Sequence, residues 1–183
     1  MKISNSLSRK ATGMLLLVSV AFWGCKKASP SSSAAINWVT LDQAIAMNKQ
    51  NNKKIYLFIY TDWCTWCHKF DSATLCDPGV AAYINDNYYA VRLNPEASDT
   101  IHINGNAYVN PSPGKMWSAN KFAIMLLDSN MKYPASVFLD GNGNRLAAPE
   151  YGYISVNDFK PILSLYSSTN WKASSSEEHK KSL

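Results

Sequence analysis

The stretch from Lys54 to His68, KIYLFIYTDWCTWCH, decides the architecture. Its first half, Lys54 to Tyr60, is a nearly continuous apolar and aromatic run, the pattern of a central strand buried on both faces. The run ends at Thr61-Asp62-Trp63, and from Cys64 the apolar positions recur with helical spacing through Phe70 and Ala73. Upstream, Thr40-Leu41-Asp42-Gln43 fits a capping box, and Leu41, Ala44 and Ile45 share one helical face. Downstream, Asp77 as N-cap and Pro78 at the first helical position open a helix carrying Val80, Tyr83 and Ile84 inward. Tyr88 to Leu93 then reads as a second strand. The irregular segment of about 94–117 contains Thr100 to Ile103, Asn104-Gly105 and Ala107 to Val109, the chemistry of a type I′ hairpin, and reads as an inserted hairpin and loop. His102 alternates with Ile101 and Ile103, so it points to solvent. Phe122, Met125 and Leu126 mark a further helix, Ala135 to Asp140 a strand, Gly141 to Gly143 a hairpin turn, and Arg145 to Ala148 its partner strand. Phe159, Ile162, Leu163 and Tyr166 mark the last helix. Pro161 fits the first turn of that helix if Asn157 is its cap and kinks it if the cap is Ser155. Parallel crossovers first and a hairpin last make an α/β sandwich.

Cys64 and Cys67 fall just past the end of a buried strand, at the start of a helix. Helix-terminal N–H groups and the macrodipole stabilise a thiolate, so the first, outward-facing cysteine becomes a nucleophile near neutral pH. Three residues along a helix bring the second sulfur within bonding reach. Cys67 can then attack a mixed disulfide at Cys64 and release the reduced partner.

The chain of 183 residues holds one ordinary domain plus extensions, since domains most often run to roughly 100–150 residues. With 46% hydrophobic and 17% charged residues it has the apolar content of a packed core. Of the formal charge of +5, Lys2, Arg9 and Lys10 in the leader described below contribute three, and the remaining +2 gives no support to nucleic-acid binding. Four cysteines are too few to staple a miniprotein, and the C-x-x-C spacing of two of them points to chemistry. Cys76 is expected as a small buried or half-buried residue at a helix junction.

Asp62-Trp-Cys-Thr-Trp-Cys67 after the central strand, with Tyr133-Pro134 immediately before a later strand, resembles the thioredoxin-like family, specifically its exported branch. The resemblance covers about Trp38 to Tyr166 and includes Gly152 before the last helix. It implies a three-layer α/β sandwich and a thiol–disulfide oxidoreductase acting on protein thiols and disulfides. It also implies a cis bond before Pro134, packing of Pro134 against the disulfide, and pairing of the Tyr133 backbone with an incoming substrate strand, with Trp63 at the site. No metal or other cofactor is part of it. Two departures stand out: Phe58 occupies the position of a buried acid six residues before the first cysteine, and Thr65-Trp66 replaces Gly-Pro between the cysteines. Asp62 reads as a polar rim residue. Because the intervening pair tunes the redox potential, reduction, oxidation and isomerisation all stay open.

Rival readings remain on the residues alone. Cys64 to His68 also satisfies C-x-x-C-H, the attachment motif of c-type haem, although haem expects a mostly helical shell. Two thiolates with His68 could instead hold a soft metal such as copper or zinc, for which the spacing identifies no fourth ligand. A structural disulfide in a carbohydrate- or envelope-binding domain is a third reading.

At the N-terminus, Lys2, Arg9 and Lys10 precede the apolar run Met14 to Trp23, an export signal too short for the roughly 20 residues of a membrane span. Gly24-Cys25 then resembles the lipobox of bacterial lipoproteins, with Phe22 where that box usually carries Leu. The expected organisation is a lipoprotein-type signal over 1–24, a Ser-rich tether over 25–36 lipidated at Cys25, the domain over 37–170, and a polar tail over 171–183 containing a solvated His179. It places the protein in the bacterial cell envelope facing the periplasm, where a membrane redox partner is possible.

Overall fold

In the computed structural model, which describes residues 35–168, the central strand β2 (Lys54–Ile59) is flanked on both sides and buried from Ile55 onward. It pairs in parallel with β3 (Tyr88–Leu93) and antiparallel with β6 (Ala135–Leu139). The short β1 (Trp38–Val39) extends the sheet beyond β3, and β7 (Glu150–Tyr151) beyond β6, giving the order β1-β3-β2-β6-β7. Period-two alternation sends the side chains of β2 into two cores. Ile55, Leu57 and Ile59 pack with Leu41, Phe122 and Leu126; Tyr56 and Phe58 pack with Phe70, Ile84 and Phe159. Helices therefore cover both faces, as the three-layer reading expects.

The helix starts follow their local chemistry. At α1 (Leu41–Asn48), Thr40 Oγ1 accepts from the Gln43 N–H at 3.1 Å while Gln43 Oε1 accepts from the Thr40 N–H at 2.9 Å. The helix α2 (Thr65–Phe70) continues into a π-helical turn, Asp71–Leu75. At α3 (Pro78–Asn87), Asp77 Oδ1 accepts from the Val80 N–H at 2.9 Å.

The segment after β3 carries a separate hairpin, β4 (Ile101–Ile103) and β5 (Asn106–Tyr108), and leads to α4 (Lys121–Leu126). Asn104 and Gly105 have φ of 50° and 77°, the I′ pattern. Ile101 and Ile103 are buried against the main core, and His102 faces out, its Nδ1 3.6 Å from Asp42 Oδ2. In α4, Phe122 and Leu126 face the core while Met125 is exposed. The Ile103 side chain abuts Gly143, whose φ is +80° and where an added Cβ would lie 2.0 Å from Ile103 Cδ1. Gly143→Ala is therefore expected to lower stability by more than about 1 kcal/mol, from backbone strain and collision together. A denaturant midpoint equal to that of the wild type would contradict this.

Two local expectations need correction, and one open alternative is decided. The partner strand expected over Arg145 to Ala148 is reduced to a bridge, Leu139 to Arg145, with the Leu146 N–H donating to Phe138 O at 2.8 Å. The ladder resumes only at β7, because Pro149 has no N–H to give and holds Ala148 in its own restricted geometry. The helix α5 (Val156–Ser167) is capped by Ser155, so Pro161 lies inside it rather than in its first turn. Cys76 is exposed, not buried: it ends the π-helical turn, whose extra residue per turn carries it off the core-facing stripe.

Burial also perturbs the tyrosines. Tyr133 and Tyr166 are each pushed up to about 12 by desolvation, then by the nearby carboxylates of Glu96 and Glu150 respectively. Unfolded phenols ionise near the ordinary 10.0, so this contribution is intact below pH 10 and is lost as pH rises through 12. Denaturant melts across that window should show falling midpoints, with phenolate absorbance appearing late; early absorbance with an unchanged midpoint would contradict it. Among the described residues no helix is long and apolar enough to cross a membrane.

Candidate active site

The apolar β2 stops at Ile59, and the loop that follows places Cys64 as the N-cap of α2. Cys64 Sγ accepts from the Cys67 N–H at 3.1 Å, and its carbonyl accepts from the N–H groups of Cys67 and His68 at 3.0 and 3.2 Å. The two sulfurs are joined in a disulfide. On reduction, the N–H that now points at Cys64 Sγ would stabilise its thiolate. Cys64 is 6% exposed and Cys67 1%, so the first cysteine is less open than the sequence suggests, while the order of accessibility is as expected.

Cys64 is reached through a groove shared with Trp63, Trp117, Met131, Tyr133 and Tyr151. The Tyr133–Pro134 bond is cis, and Pro134 leads directly into β6, whose Ala135 lies opposite Ile59. The Pro134 carbonyl accepts from the Gly152 N–H at 2.8 Å, tying together two segments that line the groove. The structure thus brings Trp63, Cys64 and Tyr133 to one place. Trp63 and Tyr133 pack edge to face with ring centroids 6.2 Å apart.

The surrounding polar groups are committed elsewhere. His68 Nε2 lies 2.8 Å from the Asp62 carbonyl, so the imidazole braces the loop. Asp62 Oδ2 accepts from Asn94 Nδ2 at 3.0 Å on the exposed rim. Phe58, at the position of the missing acid, is buried, edge-on to Phe70 and stacked with Tyr60. Lys69 sits over the rings of Trp66 and Tyr153, at 4.9 and 5.0 Å. Among the described residues no group of three His, Cys, Asp or Glu side chains could hold a metal ion. Neither the haem nor the soft-metal alternative gains support, since the sulfurs bond each other and His68 turns to a backbone oxygen.

Two residues escaped the sequence reading. Glu96 accepts from Trp63 Nε1 at 2.9 Å, and Trp117 packs on Trp63 with centroids 4.6 Å apart. Both belong to the irregular segment, where no periodicity or motif distinguishes them. Cys25 and His179, and with them the signal, the tether up to residue 34 and the tail, lie outside the described residues, whereas Ile36, at the tether's expected end, is buried in the second core.

Comparison with known proteins agrees with this geometry. The thioredoxin-like domain family matches residues 41–167. A thiol:disulfide interchange protein DsbD of Photorhabdus laumondii is 26% identical over 130 residues, covering 68% of this chain and 19% of that protein. A DsbD of Vibrio vulnificus is 29% identical over 69 residues, covering 34% of this chain and 12% of the relative, so this chain spans only a small part of such proteins. Among solved structures, a DsbH oxidoreductase superposes with a TM-score of 0.51 at 20% identity, over 76% of this chain and 90% of the other. A thioredoxin from Thermus thermophilus superposes at 0.53 with 13% identity, over 77% and 93%. The fold is shared with both, and the chain belongs to the thioredoxin-like family.

Proposed function

We propose that the domain exchanges disulfides with protein cysteines through Cys64 and Cys67. The observation that carries this reading is the placement of Cys64 Sγ at a helix start, bonded to Cys67 and opening into an aromatic groove. In the reducing direction the Cys64 thiolate attacks a substrate disulfide, forming a mixed disulfide and expelling one substrate thiolate. Cys67, as thiolate, then attacks Cys64 Sγ, expelling the second and closing the Cys64–Cys67 bond. Two electrons pass to the substrate, and the reverse sequence oxidises a substrate dithiol. Trp63, Tyr133 and Pro134 shape the groove in which the substrate segment lies. The names of the DsbD relatives and the family match support protein thiols as the substrate class. Turnover of a disulfide-bonded protein with a dithiol as electron donor tests the reading; a rate equal to that of the dithiol alone would remove it. A reduction potential near roughly −270 mV would favour a reductase, and one near roughly −120 mV an oxidant.

The same reading includes export, a lipid anchor at Cys25, and service by a redox protein of the membrane. It is supported by the charged and apolar leader ending at Gly24-Cys25. Cys25→Ser is expected to move the protein from the detergent phase to the aqueous phase of a detergent partition, or to leave it unprocessed. Recovery of the wild type in the aqueous phase would contradict the anchor.

A further inference from the structure

We propose that the segment between β3 and α4 is a specificity element of the redox site. Glu96 positions Trp63 and Trp117 as one indole wall beside Cys64, and this wall selects substrate segments with a bulky apolar side chain next to the reacting cysteine. The inference rests on the exchange reading above and adds the substrate class and the residues that choose it.

Glu96 is only 8% exposed, and a carboxylate in that position needs strong partners. It spends them on the site. Oε2 accepts from Trp63 Nε1 at 2.9 Å, and Oε1 from the Trp117 N–H at 2.6 Å. Its backbone is fixed too, donating to Asn94 Oδ1 at 2.9 Å and accepting from the Gly114 N–H at 2.8 Å. One side chain thus ties the residue before the first cysteine to the far end of the segment.

Trp117 is not held there by burial. The residue is 69% exposed, and its φ of 69° lies in the left-handed region that bulky residues rarely adopt. Core packing explains neither feature, whereas an exposed ring lying tilted against Trp63, centroids 4.6 Å apart, in the lining of the cysteine groove serves an incoming chain. Tyr133, Tyr151 and Met131 also line the groove, and among the described residues Lys132 is the sole charged one lining it. Asp62 is engaged with Asn94, and Glu96 with the two tryptophans. A lining this rich in aromatic rings favours an apolar side chain over a polar one.

The test uses two synthetic peptides with an intramolecular disulfide, identical except for Phe or Ser beside each cysteine, and a dithiol as electron donor. Wild-type kcat/KM is expected to favour the Phe peptide by about tenfold. Trp117→Ala should bring the ratio close to one, with the loss falling in KM for the Phe peptide, while Trp117→Phe keeps most of the preference. Glu96→Ala should mimic Trp117→Ala, and Glu96→Gln, which retains an acceptor oxygen, should recover part of it. Should Glu96→Ala not fold, the exposed Trp117 carries the test alone. Equal wild-type rates on the two peptides, or a preference untouched in Trp117→Ala, would overturn the inference and leave the exchange activity standing. No turnover of either peptide by the wild type would remove the oxidoreductase reading and this inference with it.

Discussion

Cys67→Ala should accumulate covalent complexes with substrate proteins, and Cys64→Ala should accumulate almost none. The asymmetry follows from position: Cys64 is the N-cap whose sulfur meets the Cys67 N–H and lies on the groove, while Cys67 is one turn in and 1% exposed. Attack needs the first sulfur and resolution needs the second. Both variants should lose turnover down to the uncatalysed rate, so trapping separates the roles where activity does not. Non-reducing gels with peptide mapping of the mixed disulfide read the result. Equal trapping by the two variants would mean that the cysteines are not ordered in this way.

Phe70→Ala should cost about 3–5 kcal/mol of stability, since a fully buried ring is replaced by a cavity. Phe70 ends the helix that carries both cysteines and stands edge-on to Phe58 at 5.7 Å, Phe159 at 5.2 Å and Tyr153 at 6.3 Å. It therefore anchors the redox helix to the sheet and to α5 together. Thermal unfolding should shift down by about 10 °C, given roughly 2–4 °C per kcal/mol for a chain of this size. A loss below about 1 kcal/mol would show that the cluster collapses around the gap and that its tight packing carries little of the stability.

What the sequence disclosed was local chemistry. The capping box at Thr40, Asp77-Pro78 at the start of α3 and Asn104-Gly105 in the hairpin each announce themselves over a few residues, and each folds as its residues dictate. The buried run of β2 and the two cysteines after it were equally plain, and with Tyr133-Pro134 they made the family legible. The two-residue strands β1 and β7 were not, because so short a strand has no measurable period and takes its place from its neighbour. Cys76 turned outward because one π-helical turn shifts the phase of the helix, and the residues there carry no mark of that turn. Glu96 and Trp117 stayed hidden for another reason. Glu96 is bonded across 33 residues to Trp63 and across 21 to Trp117, and only the folded chain brings them together.

The central claim is that Cys64 and Cys67 form a reversible two-electron couple, and a redox titration with peptide-resolved counting of alkylated cysteines tests it most directly. Across dithiol–disulfide buffers of graded potential, Cys64 and Cys67 are predicted to pass together from disulfide to two thiols and back in one transition, while Cys76 stays alkylatable throughout. A Cys64–Cys67 bond that survives the most reducing buffer, or that fails to reform on return to an oxidising one, would contradict the account and make the pair a structural cross-link.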